Sequence, residues 1–503
     1  MGCTGAAIAK CSLTLPRFLL FGPLLDLNKT VSINRQNQEG EHLSAQGGLS
    51  LADILASLSY ALDLTGGQPM GHAQRTCLIG MRLAQELGLT AEEQDSLYYA
   101  LLVKDAGCSS NAARMCEIFG SDEIAAKRHS KLVDWSSRLD AARYAAAHTL
   151  PEGSLRERLR RLFHLAKNPG QSSDDLLHAR CDRGTQIVRS LGLSETTVEC
   201  VRHLDEHWDG RGGPNHVQGD AIPLLGRIAC LAQTLEVFVT TFDVETAYAV
   251  LCQRSGRWFD PQLVRAAHAF RYDLAFWRFV QEASSDTLLR IDVGAATETI
   301  SEGRVEAVCQ GFAGIIDAKS PFTAEHSSRV SLYAVEIAQD LGIKGQRLMT
   351  LRRAALLHDI GKLAVPNTIL DKPGKLTGSE WECVQRHPYY SEQVLGRITG
   401  FERMAEIAAA HHERLDGSGY FRELTGDQLD LDMRILAVAD VFDALSAERP
   451  YREALPLEDV FLILGKEAGV KLDVDCISVL RQRHTGSTLA ALFESGSELR
   501  LAA

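Results

Sequence analysis

"GHAQRTCLIGMRLAQELGL", residues 71–89, returns in altered form as "EHSSRVSLYAVEIAQDLGI" at residues 325–343. Each stretch places a histidine just ahead of a helix with one apolar face. Thr76, Ile79, Gly80, Leu83, Ala84 and Leu87 form that face in the first copy; Val330, Tyr333, Ala334, Ile337, Ala338 and Leu341 form it in the second. Steps of three and four residues bring side chains onto one side of an α-helix.

The likeness extends outward at constant offset, the signature of an internal repeat. "ALLVKDAGC" (100–108) answers to "AALLHDIGK" (354–362), so His72 and His326, like Asp105 and Asp359, are 254 residues apart. Farther on the offset is 207: "EHWDGRGGP" (206–214) answers to "ERLDGSGYF" (413–421), and Gln233 to Asp440. The first copy therefore has 47 extra residues, placed between Cys116 and Asp174. Strand-like alternation is sparse, so the reading is an all-α protein of two tandem helical domains. The expected boundaries are an extension over 1–49, a first domain over 50–275 with an insertion near 117–174, a linker over 276–304, a second domain over 305–490 and a tail over 491–503.

A chain of 503 residues exceeds one ordinary core, and 45% hydrophobic with 23% charged residues is a globular composition. A net charge of −12 argues against a DNA-binding role, which needs a basic surface. An anionic substrate would then need local positive charge. Twelve cysteines without a CxxC pair argue against structural zinc and a disulfide framework, and suit small buried groups in a reducing cytosol. The apolar stretch "LTLPRFLLFGPLLDL" (13–27) is broken by Pro16, Arg17 and Pro23 and is too short to span a membrane. It reads as part of a loose extension rather than a signal peptide, although Lys10 precedes it. The expectation is a cytoplasmic protein with no membrane and no DNA partner. "SLRERLRRLFHLAK" (154–167) reads as a basic amphipathic helix packed on its own domain, in preference to one that binds an acidic partner or a membrane surface.

Only the second copy accumulates histidine and aspartate. His326 begins its first helix, His358-Asp359 end "LRRAALLHD", His387 lies in "VQRHP", His411-His412 end "MAEIAAAHH", and Asp440 interrupts the apolar "ILAVADVFDAL". A carboxylate in such a helix is costly to bury unless paired or bound to a metal. Imidazole with carboxylate suits iron, manganese or zinc. Adjacent residues on a helix point about 100° apart, so His411 and His412 can serve one centre from two directions while Asp359 bridges two ions.

"HDIGK", "RHP", "HHERLDGSGY", "AVADVFDAL" and "ERPYR", in this order, resemble the HD-GYP branch of the HD phosphohydrolase superfamily over nearly all of 305–490. The resemblance implies two tandem HD-type helical domains, the second a metal-dependent phosphodiesterase that opens cyclic di-GMP to pGpG or GMP. Another cyclic dinucleotide, such as cyclic GMP–AMP, is the alternative substrate, and a weakly active signalling adaptor the alternative role. The metal ligands it implies are His326, His358, Asp359, His387, His411, His412 and Asp440, holding two divalent ions, iron or manganese. Asp359 and Lys362 become the catalytic groups, and Lys362, Arg449 and Arg452 the substrate-binding ones. Members with a third metal carry a glutamate where this chain has Phe322, so a two-metal centre is expected. The final proline of the family signature is replaced by Phe421, in a loop linked to contact with diguanylate cyclase (GGDEF) domains. Such partners, like a homo-oligomer, are left open.

The first copy keeps His72 and Asp105 but has Lys104, Cys108, Arg180, Leu204, Asp205 and Gln233 at the other corresponding positions. It reads as a degenerate HD-GYP-like domain of structural or regulatory use, with Lys104 paired to Asp105 in the vacated centre.

Overall fold

In a computed structural model the described residues are 49–487, without 136, 152, 168, 283–299, 321–324 and 449–452. The apolar stretch 13–27, the C-terminal tail, Phe322, Arg449 and Arg452 lie outside them. The described residues form helices, 3-10 turns and isolated bridges, with no strand among them.

The first copy runs α1 (Leu51–Thr65), α2 (His72–Leu87), α3 (Ala91–Val103), a 3-10 turn (Ala106–Ser109) and α4 (Ala112–Phe119). The insertion follows as α5 (Glu123–Ser130), α6 (Arg138–His148) and α7 (Leu155–Lys167). Then come α8 (Pro169–Ser190), α9 (Glu195–Arg202), α10 (Leu224–Thr241), α11 (Val244–Arg254), α12 (Pro261–Ala267) and α13 (Leu274–Glu282). The second copy repeats the plan: α14 (Glu302–Asp317), α15 (His326–Asp340), α16 (Gly345–Leu357), a 3-10 turn (Ile360–Ala364), α17 (Asn367–Leu370), α18 (Gly378–Gln385), α19 (His387–Leu395), α20 (Glu402–Ala409), α21 (Leu431–Ser446), α22 (Leu457–Glu467) and α23 (Val474–Thr485).

Sequence sets these boundaries locally. Thr90 and Thr377 each cap a helix whose third residue, Glu93 or Glu380, reaches back to the cap, a reciprocal capping box. α15 begins directly after Glu325 at φ 58°, a left-handed position that its counterpart Gly71 occupies at φ 88°. The second copy thus keeps a strained residue beside its first histidine where the first copy has the unstrained one.

The two copies face each other about a pseudo-two-fold. α1 packs on its own α2 and α3 and also reaches across to the 3-10 turn Ile360–Ala364 and α19; α14 makes the reciprocal contact with the turn Ala106–Ser109 and α8. One continuous apolar core, including Leu55, Ile79, Phe312, Ile337 and Leu357, runs through both. Burying apolar area at about 25 cal/mol per Å² makes this shared core the main force holding the halves together. The domain boundary drawn from sequence moves accordingly: α13 crosses residue 276 and buries Trp277 and Val280 in the first domain's core, so those residues are not linker.

Two further helices bear on the sequence reading. α7 packs on its own domain, as expected: it touches α8, and Arg161 donates to the Ile118 carbonyl of α4 at 3.0 Å, while Leu155, Leu159 and Phe163 stay exposed. α10 has the length and hydropathy of a membrane span, but most of it is buried in the core.

Candidate metal centre

Five helices of the second copy and their ends deliver the seven implied ligands to one point. His326 is the first residue of α15, His387 the first of α19, and Asp440 lies inside α21. His358 caps α16 with Asp359 beside it, and His411-His412 form the turn after α20. All but His412 are buried. The short turn after Asp359 can approach α19 because of Gly361, where a Cβ would stand 2.0 Å from the His387 carbonyl oxygen. Ser391 closes the same junction, accepting from Gly361 N at 3.0 Å and donating to the His358 carbonyl at 2.6 Å.

Four imidazoles are oriented from behind. His326 Nδ1 meets Asp443 Oδ2 at 2.7 Å, and the Nδ1 atoms of His358, His387 and His411 meet the carbonyls of Ala355, Val384 and Ala408 at 2.8, 2.7 and 2.6 Å. An Nδ1–H donated to a carbonyl leaves Nε2 a bare acceptor aimed inward, the usual outer arrangement around a metal ligand. His387 Nε2 and His411 Nε2 then face each other at 3.0 Å, two lone pairs that repel unless a cation lies between them.

Asp359 stands in the middle. Its Oδ2 is 3.4 Å from both His326 Nε2 and His358 Nε2, and its Oδ1 is 3.3 Å from His387 Nε2 and 3.6 Å from His411 Nε2. Asp440 Oδ1 closes the first side at 3.4 Å from His326 Nε2, and Asp440 Oδ2 approaches His412 Nδ1 at 3.8 Å on the second. Donors bound at about 2.1 Å to one ion lie roughly 3–3.5 Å apart, so these spacings suit shared cations. The donors fall into a set of His326, His358 and Asp440 and a set of His387, His411 and His412, with Asp359 between. His358 Nε2 and Asp359 Oδ1 are buried without a hydrogen-bond partner, which fits metal ligation.

The electrostatics point the same way. Burial depresses His387, and drives His411 and His412 well below the usual histidine range, leaving neutral donors at neutral pH. Burial would also depress His326, but Asp359, Asp440 and Asp443 outweigh it and raise it to about 10: positive charge is demanded at this spot. Burial would raise Asp359, and the side chains of His358, Lys362 and His326 around it instead hold it well below the carboxylate range. Lys362 Nζ is 2.6 Å from Asp359 Oδ2 and partly open to solvent, in place to meet an anion.

Sequence reading missed Asp443, which holds His326 and also receives Arg329 Nε at 2.6 Å. Its signal was there: it follows Asp440 by three residues in "ADVFDAL", one turn along the same helix.

The first copy preserves this supporting frame and loses the centre. Glu236, equivalent to Asp443, pairs with His72 Nδ1 and receives Arg75 Nε at 2.7 Å. Glu206, like Glu413 in the second copy, accepts backbone N–H groups of the glycine loop, from Asn215 at 2.7 Å against Arg422 and Leu424 at 2.7 and 2.9 Å. Gly210 and Gly417 take matching left-handed turns at φ 75° and 77°. In the core, however, Lys104 Nζ bonds His72 Nε2 at 2.8 Å and pairs with Asp105, as expected from sequence. Arg180 pairs with Asp205 at 2.9 Å. The unforeseen group is Lys131, from the turn after α5, whose Nζ reaches Gln233 Oε1 at 3.1 Å. Cationic side chains thus stand where the other copy collects metal donors.

The HD domain family pattern matches residues 109–263 and again 311–476. The chain is 42% identical over 439 residues to 3'3'-cGAMP-specific phosphodiesterase 3 of Vibrio cholerae, covering 87% of this chain and 95% of that protein. A crystal structure of a cyclic GMP-AMP-specific phosphodiesterase of Vibrio cholerae superposes with a TM-score of 0.60 at 37% identity, covering 89% of this chain and 98% of that one. The cyclic di-GMP phosphodiesterase response regulator RpfG of Xanthomonas campestris is 37% identical over 199 residues, which cover 39% of this chain and 53% of RpfG.

Proposed function

The chain belongs to the HD domain family, in its HD-GYP phosphodiesterase branch, and on that premise we propose that its second domain hydrolyses 3'3'-cyclic GMP–AMP. The choice between cyclic dinucleotides rests on one observation. Likeness to a cyclic GMP–AMP-specific enzyme runs through both copies and nearly the whole of that protein, whereas likeness to the cyclic di-GMP enzyme RpfG covers only about half of RpfG. The ordering expected from sequence, with cyclic di-GMP first, is therefore reversed.

His326, His358, Asp359 and Asp440 would hold one divalent cation and Asp359, His387, His411 and His412 a second. Such a pair supplies an activated water near neutral pH and neutralises phosphate charge. Lys362 adds a positive charge at the mouth of the centre, where it can stabilise the phosphate as charge builds on it. Arg449 and Arg452 remain proposed phosphate contacts.

Beside the centre lies an aromatic lane suited to two purines. The Tyr420 ring is 4.7 Å from that of His412, Trp381 packs edge-on to Tyr420 at 5.9 Å, and Phe421 meets Tyr389 at 5.9 Å. Trp381 and Tyr389 are exposed. Base–aromatic stacking is worth about 1–3 kcal/mol per base. Phe421, where the family signature has proline, lengthens this lane.

The test is a competition. Metal-loaded protein is given equimolar cyclic GMP–AMP, cyclic di-GMP and cyclic di-AMP, and products are resolved by chromatography. Preferred opening of cyclic GMP–AMP to a linear dinucleotide supports the proposal; preferred turnover of cyclic di-GMP returns the reading to the family's commoner substrate.

A further inference from the structure

The insertion makes the two copies unequal, and its first helix touches both signature turns. Glu123, at the start of α5, is buried and reaches out of its own domain: its carboxylate receives Lys319 Nζ at 3.0 Å and the backbone N–H of Asn367 at 3.1 and 3.0 Å. Lys319 is likewise buried, and its Nζ also donates to the Leu363 carbonyl, at 3.4 Å, within the turn that follows Asp359 and contains Lys362. Asn367 Nδ2 bonds back to the Lys319 carbonyl at 2.6 Å, closing the loop of contacts. Four residues along the same helix, Lys127 Nζ donates at 2.5 Å to the carbonyl of Cys108, the silent counterpart of Lys362. Residues four apart share a helix face, so one side of α5 clamps both turns.

This clamp has no pseudo-symmetric partner. At the 254-residue offset the counterparts of Lys319 and Asn367 are Thr65 and Ala113, which cannot form the ion pair or its side-chain bond. The brace acts in one direction, from the silent copy onto the turn bearing Asp359 and Lys362.

We propose that Glu123 is a positioning residue for the catalytic turn, fixing Asp359 and Lys362 through Lys319 and Asn367, and that this bracing is what the silent domain contributes to the reaction. The inference rests on the reading above that those two residues serve catalysis. A displacement of about 1 Å in reacting groups costs up to a hundredfold in rate, and a turn held by a buried ion pair from another domain is open to such displacement when the pair is broken. Bracing predicts a defect chiefly in kcat, because the aromatic side chains proposed to hold the bases lie outside the displaced turn.

The experiment uses the full-length, metal-loaded protein and the variants Glu123→Gln, Glu123→Gln/Lys319→Met and Arg128→Ala. The double variant removes both charges of the Glu123–Lys319 pair, so it keeps the test open where Glu123→Gln fails to fold. Arg128 is exposed on the same helix and serves as control. Turnover of cyclic GMP–AMP and of bis(p-nitrophenyl) phosphate is measured beside metal content and hydrogen exchange. Both Glu123 variants should lose about tenfold or more in kcat with KM within about threefold. They should retain both metals and exchange faster at 360–367 alone, while Arg128→Ala matches the parent. Unchanged kcat with unchanged protection at 360–367, or faster exchange spread evenly over the chain, overturns the proposal. Should the parent protein turn over neither compound, the proposed function fails, and local exchange at 360–367 still decides whether Glu123 braces the turn.

Discussion

Lys131 Nζ stands 3.2 Å from His72 Nε2 and 3.3 Å from Asp105 Oδ1, in the place where His326 of the other copy faces Asp359 and Asp440. A tethered ammonium has taken over the role of a cation among surviving donors. It carries positive charge to a buried carboxylate without the ligand count a metal needs, and it comes from the insertion, which the second copy lacks.

Lys131→Met should therefore destabilise the first domain without restoring a metal site. Truncating one partner of a buried ion cluster costs about 3–5 kcal/mol, and Lys104 remaining beside Asp105 softens the loss toward the lower end. Denaturant unfolding measures it, with metal content fixed at two ions per chain in both proteins.

Asp443→Asn should weaken the metal centre although Asp443 is not one of the implied ligands. The substitution removes the carboxylate that orients His326 and receives Arg329. Loss of such an outer contact lowers metal affinity about 10–100-fold. Activity against metal concentration should shift by that factor while saturating metal restores most of the rate.

Trp381→Ala should act on binding. With about 1–3 kcal/mol of stacking removed, KM rises roughly 5-fold to 150-fold, and kcat changes far less. An equal fall in kcat at constant KM would place Trp381 outside the substrate's path.

His207 gives the silent domain a pH dependence separate from the metals. It is buried, its ring stacks on Trp258 at 4.0 Å, and its Nδ1 has no hydrogen-bond partner. Burial lowers its pKa to about 4. The unfolded chain, with an ordinary histidine, binds more protons between about 6.5 and 4, so stability rises with pH through that window and falls on acidification. The full effect is on the order of 3 kcal/mol. Denaturation midpoints from pH 7 to 4 should fall less steeply in His207→Phe than in the parent protein.

The repeat was legible in the sequence because it rests on spacing: helical periodicity sets the apolar faces, and constant offsets align His72 with His326 and Asp105 with Asp359. The clustering of the seven His and Asp residues was legible through their place at helix ends and in the motifs shared with the HD-GYP family. The pairing of Lys104 with Asp105 was legible too, since the residues are adjacent. Lys131, Glu123 and Lys319 were not. They lie in or opposite an insertion with no counterpart to align, and their partners, such as Glu123 and Lys319, are 196 positions apart. α7 packs on its own domain as its sequence suggested, but the face it buries was not legible. Amphipathicity shows that a helix has two faces, but here arginine bonds to backbone carbonyls decide which one turns inward. Asp443 was visible as a letter, yet its role depends on the crossing of α15 and α21, which no periodicity encodes.

The central claim is that the second copy alone carries a two-metal cyclic dinucleotide phosphodiesterase centre. The most direct measurement is metal content together with cyclic GMP–AMP turnover for the parent protein, Asp359→Ala and Asp105→Ala, all prepared anaerobically with iron or manganese. The account predicts two ions and turnover in the parent, loss of both in Asp359→Ala, and both retained in Asp105→Ala. Turnover that survives Asp359→Ala, or that disappears with Asp105→Ala in a folded protein, would contradict it.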